Sequence, residues 1–267
     1  MSQDLNSYTE ANRTAWNQTA PVHAKARLDE LIECFSQPGY SRLKQLEEDR
    51  LVNEVGVKGK DVVQPACNNA RELLSIKNLG ARRCVGFDIS DGFIGQGRQI
   101  AAAGGIECEL VRSSVYEIPA EYDNSFDLVY ITIGALGWMP DIDQFFAIVA
   151  RLLRPGGQLF IYEMHPILDM FESGEGTESL KLYYSYFRTE PYVDDDGLDY
   201  LTNTTYESAK SYWFHHKLSD IIGAVLKNGM TLTAFDEYDH DISNVFAHLE
   251  NETIRPPLSY ILIARKA

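Results

Sequence analysis

The spacing of apolar residues changes character near residue 58. Before it, apolar positions recur at helical spacing. Leu28, Leu31, Ile32 and Phe35 fall on one face of residues 24–35, and residues 43–55 repeat the pattern. Residues 8–16 form a further predicted helix with Thr9 as its N-cap, which residues 18–21 are expected to break at Pro21. Pro38-Gly39 is a turn, and no strand signal occurs in this region. From Lys60 onward, short apolar runs alternate with helical segments. Val62 and Val63 open a strand, and residues 84–87, 108–111, 126–133 and 158–162 predict four more. The run 126–133 is apolar apart from Asp127 and Thr132, which predicts a central strand buried on both faces. Ser90 caps a helix to residue 103 that Gly104-Gly105 ends, and Asp141 caps another to residue 153.

Strands alternating with helices imply an α/β fold with a doubly wound, mostly parallel sheet. After residue 164 the pattern lapses. Residues 165–212 are rich in tyrosine and acid and read as an insertion. Tyr183 to Phe187 is a candidate strand of a two-stranded lid, and Asp194-Asp195-Asp196-Gly197 is a hairpin tip. Residues 216–228 form an amphipathic helix, and residues 231–238 and 258–264 a final strand pair. The chain reads as one domain: a helical cap over 1–57, a core over 58–164, a lid over 165–212, and a closing helix and strand pair over 213–267.

The stretch from Lys60 to Asp88 carries the candidate chemistry. A strand breaks into small, turn-prone residues at Ala66-Cys67-Asn68, a helix runs to Gly80, and a second strand ends in the acid Asp88. This is the outline of a βαβ nucleotide-binding unit, whose acid about 20 residues beyond the turn meets a ribose. The glycines that a dinucleotide pyrophosphate requires are absent, which argues against NAD and FAD and fits a nucleoside without phosphates. A βαβ unit with an ordinary tight turn and no ligand is the bland alternative.

Charge narrows the partners. With 24 basic and 39 acidic side chains the formal net charge is −15, which repels nucleic acid and anionic membrane and favours a small molecule. No apolar run reaches the ~18 residues of a membrane span. The polar start Met1-Ser2-Gln3-Asp4 is neither a signal nor a transit peptide. Four cysteines without a C-x-x-C spacing read as reduced thiols of a cytoplasmic protein, with no metal site.

The order of elements resembles the class I S-adenosylmethionine-dependent methyltransferases, which implies a Rossmann-like sheet of seven strands. The most specific piece is Leu152-Leu153-Arg154-Pro155-Gly156-Gly157-Gln158-Leu159, which is similar to the turn before strand five in methyltransferases of the ubiquinone/menaquinone-biosynthesis and tellurite-resistance type. Val85-Gly86-Phe87-Asp88-Ile89-Ser90, Ile118-Pro119 and Ser125-Phe126-Asp127-Leu128-Val129-Tyr130 support it in order and spacing. Asn12-Arg13-Thr14-Ala15-Trp16-Asn17 resembles the family's first helix, which closes over the cofactor and brings Trp16 to it. The resemblance implies S-adenosyl-L-methionine as cofactor. Gln64, Ala66 and Cys67 would pack on its methionine half, and Asp88 would accept both ribose hydroxyls. Ile89 would cover the adenine. Ser114 and Val115 would lie at the adenine amino group, where the family usually has an acid beside an apolar residue. Thr132 and Ile133 would flank the methionine part.

Methyl transfer from a sulfonium needs an aligned acceptor, exclusion of water and, for some acceptors, a base. His165, directly after strand five, is the candidate base; a histidine bonded to backbone before Pro166 is the alternative. Glu163 is a candidate structural acceptor. Trp138, Tyr162, Tyr212 and His215 are candidates for the acceptor pocket, although aromatic residues are ordinary core material. A catalytically silent nucleoside-binding protein and a nicotinamide oxidoreductase remain the other function classes. Oligomeric state, acceptor and methylated atom are not encoded in any recognisable pattern.

Overall fold

The computed structural model describes residues 3–171, 181–202, 204–243 and 245–267. Seven strands form one sheet in the order β3-β2-β1-β4-β5-β9-β8: β1 Asp61–Pro65, β2 Arg83–Asp88, β3 Glu109–Arg112, β4 Phe126–Thr132, β5 Leu153–Met164, β8 Met230–Tyr238 and β9 Ser259–Lys266. The first five are parallel, and β9 runs antiparallel to both β5 and β8. This is the expected doubly wound sheet. The strand order reverses beside β1, and an open sheet of this kind offers its crevice there, at the carboxyl ends of the strands.

The helices cover both faces. α4 Arg71–Asn78 and α5 Asp91–Gly104 lie on the face of Leu128, Tyr130 and Phe160; α6 Ile142–Leu152 and α7 Leu218–Lys227 lie on the face of Val129, Ile131 and Leu159. α6 buries Phe145, Phe146, Val149 and Leu152 on one side, and Asp141 caps it by accepting from the Gln144 N–H at 2.9 Å. Ser90 caps α5 through the Phe93 N–H. Gly97 interrupts that helix for a packing reason. A Cβ there would come within 2.9 Å of the Asn69 carbonyl oxygen, so only glycine lets α5 press on the loop after β1.

Arg154-Pro155-Gly156-Gly157 is not a turn ahead of strand five but the irregular start of β5 itself. The Arg154 guanidinium donates to Asp127 at 2.8 Å and to Asp61 at 2.9 Å, tying the amino ends of β1, β4 and β5 together. A Cβ on Gly157 would meet the Arg154 carbonyl oxygen at 2.9 Å. The most family-like motif is therefore structural and lies at the end of the sheet away from the crevice.

Two expectations are corrected. Residues 18–21 do not break the first helix: α1 spans Gln3–His23 with Pro21 inside, passes through a π turn at Ala24–Leu28 and continues as α2, Asp29–Phe35. Proline withholds one backbone donor, and tertiary contacts hold the helix regardless. Gln96 donates to the Ala20 carbonyl at 2.8 Å, Arg13 pairs with Asp91 at 2.9 Å, and Ala20 packs on Gly92. α3, Gln45–Arg50, likewise runs into a π turn at Leu51–Val55. Second, Tyr183 to Phe187 is not a strand. The two-stranded lid ribbon pairs β6, Tyr192–Asp194, with β7, Ser211–Trp213. Tyr183, Tyr184 and Phe187 are exposed instead, with Arg188 over the Tyr184 and Tyr192 rings. Met1 and Ser2 of the expected leaderless start, and residues 172–180 and 203 of the expected lid, lie outside the described residues. Among those described, no helix is long and apolar enough to cross a membrane.

Candidate functional site

A cavity of about 500 Å³ lies over the carboxyl ends of β1, β2, β4 and β5, roofed by α1 and by Tyr200, Leu201, Ile242, Ser243 and Val245. The loop after β1 forms its floor. Ala66, Asn68 and Ala70 hold φ of 54°, 51° and 59°, three of the four non-glycine residues with positive φ among those described. Left-handed geometry costs an L-residue about 1–2 kcal/mol, less for Asn. Strain repeated at alternate positions of one loop persists only where the surroundings impose it, and it marks a backbone shaped for close approach. The imposing contacts are visible. The Cys67 N–H donates to the Phe87 carbonyl at 2.9 Å, the Ala70 N–H to the Cys67 carbonyl at 2.8 Å, and the Asn69 N–H to its neighbour Asn68 Oδ1 at 2.8 Å. Asn68 donates its own N–H to Asp88 Oδ2 at 2.7 Å.

Asp88 closes β2 on the other side of this loop. Its Oδ1 accepts the Ser90 N–H at 2.8 Å, so each carboxylate oxygen is oriented by one backbone donor and keeps lone pairs for a ligand. Burial pushes the carboxyl up to about 6, against the pull of those donors. Gln64 lines the cavity at 1% exposure, and its Oε1 has no hydrogen-bond partner. A buried amide oxygen without a donor costs about 1–3 kcal/mol, and with no partner among the described residues this atom is free to accept a ligand N–H or O–H. Cys67 also lines the cavity, but burial raises its thiol well above the ordinary range.

The loop after β4 forms the far wall, and Glu163 fixes it as a structural acceptor. The carboxylate accepts N–H groups of Gly134 at 2.6 Å, Met164 at 2.9 Å, Ala135 at 3.0 Å and Leu136 at 3.3 Å. Its burial raises the carboxyl to about 7. This places Trp138, whose ring meets Trp16 edge-on at 5.1 Å and Trp213 at 5.2 Å. Gly137 makes room for that stack: a Cβ would stand 2.2 Å from the Trp213 ring.

Trp16, Gln64, Ala66, Cys67, Asp88, Ile89, Ser114, Val115, Thr132, Ile133 and Trp138 all line this one cavity. Four other candidates do not. His165 turns away from it. Its Nδ1 accepts the Ile167 N–H at 3.2 Å, and its Nε2 lies 3.0 Å from Glu237, so the backbone-bonded alternative describes its place. The Tyr162 hydroxyl meets His240 at 2.7 Å beneath β5. His215 is spent on Asp169 and on the Tyr186 carbonyl, both at 2.8 Å. Tyr212 packs its ring on Tyr8 at 4.9 Å, outside the lining, while its neighbour Trp213 faces in. Trp213, which the sequence offers beside Tyr212 as an aromatic of the acceptor pocket, lines the cavity, and Arg27, Arg71, Glu72 and Tyr200 line it without having been singled out in the sequence. Arg71 directly follows the loop and was within reach of motif reasoning; Arg27 and Tyr200 carry no local signal.

Residues 62–157 match the family described as methyltransferase domain. A demethylmenaquinone methyltransferase from Listeria monocytogenes is 35% identical over 106 residues, 38% of this chain and 44% of that protein. The chain thus spans under half the length of the curated relatives it matches. Among solved structures, an S-adenosylmethionine dependent methyltransferase from Mesorhizobium loti aligns at a TM-score of 0.59 and 21% identity, over 79% of this chain and 92% of that one. The Burkholderia thailandensis 1,6-didemethyltoxoflavin-N1-methyltransferase aligns at 0.59 and 13% identity, over 98% and 90%. Residues 62–157 thus resemble a methyltransferase domain, and the chain has the Rossmann-like fold seen in S-adenosylmethionine-dependent methyltransferases.

Proposed function

We propose that this protein transfers a methyl group from S-adenosylmethionine to a small-molecule acceptor. The observation that carries the reading is the cavity floor, where a backbone-oriented carboxylate, an unpartnered amide oxygen and a strained loop face one enclosed space. The residues fit the cofactor. Asp88 would accept the ribose hydroxyls, and Gln64 Oε1 suits the amino-acid ammonium group. Ile89 and Val115 would flank the adenine beside Ser114, with Thr132 and Ile133 along the methionine part and Ala66 and Cys67 beneath it. A bound sulfonium supplies the electrophilic methyl group. The chain aligns the acceptor and keeps water out, and the Trp16–Trp138–Trp213 stack is placed for both.

The aromatic wall and the likeness to demethylmenaquinone methyltransferases support an aromatic acceptor of the kind the ubiquinone/menaquinone resemblance implies. The net charge of −15 supports a small molecule over nucleic acid, and four free cysteines suit the reducing cytoplasm.

Calorimetric titration with S-adenosylhomocysteine and with NAD tests the reading: the first should bind and the second should not. Asp88→Ala should weaken S-adenosylhomocysteine about ten- to hundredfold, the loss of a charged hydrogen-bond pair. The ligand's hydroxyls need the ionised carboxylate, so wild-type affinity should rise as pH climbs through about 6 and then level off. Binding of NAD alone would overturn the reading, and unchanged affinity in the variant would remove Asp88 from the ribose.

A further inference from the structure

Two arginines open onto the cavity of a protein whose formal net charge is −15. Several other arginines sit against carboxylates: Arg82 and Arg154 on Asp61, Arg151 on Asp123, Arg50 on Asp236. Arg27, in the π turn after α1, makes no hydrogen bond or ion pair among the described residues. Arg71, the first residue of α4, gives its Nε to Glu72 at 2.6 Å, and its Nη1 and Nη2 have no partner among the described residues. Both guanidinium-bearing residues line this cavity with Tyr200, and His23, the residue that leads into the π turn of Arg27, meets the Tyr200 ring at 4.6 Å. Tyr200 stands in that corner with 48% of its surface accessible, lining the cavity with no hydrogen bond from its hydroxyl. Its ring lies 6.4 Å from Trp16, at the edge of the tryptophan stack.

An unpaired Arg27 fork, beside an Arg71 that spends only its Nε on Glu72, suits a planar anion, since a carboxylate accepts two parallel N–H donors. We propose that Arg27, Arg71 and Tyr200 form a carboxylate subsite for the acceptor, which is therefore a planar aromatic acid whose ring lies against Trp16 and Trp138. Naming the ligand an acceptor rests on the methyl-transfer reading; the anion subsite itself does not.

Benzoate and its neutral isostere benzamide are the probes, titrated into the free protein and into the protein saturated with S-adenosylhomocysteine. Benzoate should bind the saturated protein about tenfold tighter than benzamide or better, as expected of a charge-assisted pair. Arg27→Met and Arg71→Met should erase that preference while leaving S-adenosylhomocysteine affinity unchanged, and Tyr200→Phe should reduce it. Because Arg71→Met leaves Glu72 unpaired, Arg71→Met/Glu72→Gln is measured beside it. Equal binding of the two probes to the wild type would overturn the subsite. So would arginine variants that weaken S-adenosylhomocysteine but not 5′-methylthioadenosine, which lacks the amino-acid tail: the arginines would then hold the cofactor's carboxylate. Arginine-dependent benzoate binding in a protein that does not bind S-adenosylhomocysteine would keep the subsite and dismiss the methyl-transfer reading.

Discussion

Ala66 and Ala70 sustain a backbone conformation that glycine adopts without penalty. Their methyl groups trade that strain for contact: Ala66 lines the cavity floor, and Ala70 is buried in the core with Leu73 and Leu74. Ala70→Gly should relieve about 1–2 kcal/mol of strain, offset by the loss of a buried methyl group and by the freer unfolded chain, so the Tm should move little. Ala66→Leu keeps the strain unchanged but pushes a side chain into the cavity. It should abolish S-adenosylhomocysteine binding while shifting the Tm of the free protein little. Calorimetry and thermal melts on both variants check this; normal binding by Ala66→Leu would mean that no ligand rests on the loop. The glycine-poor motif is thus no sign of a collapsed site, because hydrogen bonds from the loop's own N–H groups to the Phe87 carbonyl and the Asp88 carboxylate hold the shape that the residue types disfavour.

At the scale of elements, α1 and the segment ending in β7 behave as one cover. Asn12 donates to the Tyr212 carbonyl at 3.0 Å and accepts its N–H at 2.7 Å, replacing a strand partner with a side chain. Gln18 accepts the Ala209 N–H at 2.7 Å, and Thr19 meets the Tyr206 hydroxyl at 2.6 Å. One helical turn on, buried His23 meets the Leu198 carbonyl at 3.2 Å, and burial lowers its imidazole to about 4, so it is neutral there. These bonds bridge two segments that pack little core of their own, and such segments open at low free-energy cost. Asn12→Ala should speed amide exchange in α1 and in residues 204–213 together, with β4 unchanged, and S-adenosylhomocysteine should slow both again. Faster exchange in one segment alone would show that they open independently.

The whole molecule carries opposed titrations. Burial raises Glu47 and Glu163 to about 7 and Asp88 to about 6. The native state keeps these protons where the unfolded chain has lost them, so stability falls as pH rises from the unfolded values near 4 to about 7. Asp61 runs the other way: Arg82 and Arg154 hold it down to about 2, and its contribution is lost as pH falls from about 4 toward 2. Repulsion among the net negative charges adds to the alkaline loss. Buried neutral His23, lowered to about 4, works against these acids between pH 4 and 6.5, so the Tm of the ligand-free protein should change little from pH 5 to 6.5, decline toward pH 8 and fall again below pH 4. Scanning calorimetry across that range decides it; a Tm that rises from pH 5 to 8 would mean the buried acids are ionised at little cost.

The sequence by itself determined the alternating elements, the central β4, the acid at the end of β2 and the floor of the cavity, because burial on a strand or helix is written in local periodicity and a parallel sheet has one end for its crevice. It also brought ten candidates to that crevice, since residues at or just past the ends of parallel strands share an end, and an eleventh, Trp16, through the resemblance of the first helix. Only the tertiary structure decided where side chains beyond the strands point. His165 follows β5 as the motif requires, yet its backbone turns it to Ile167 and Glu237. Tyr162 alternates onto the face beneath the cavity and meets His240, 78 residues away. Arg27 and Tyr200, 173 positions apart by their numbering (200 − 27), share one corner because α1 continues through Pro21 and the lid folds back on it. No residue pattern announces such a meeting, for the reason that its energy comes from contacts between segments rather than from propensities within them.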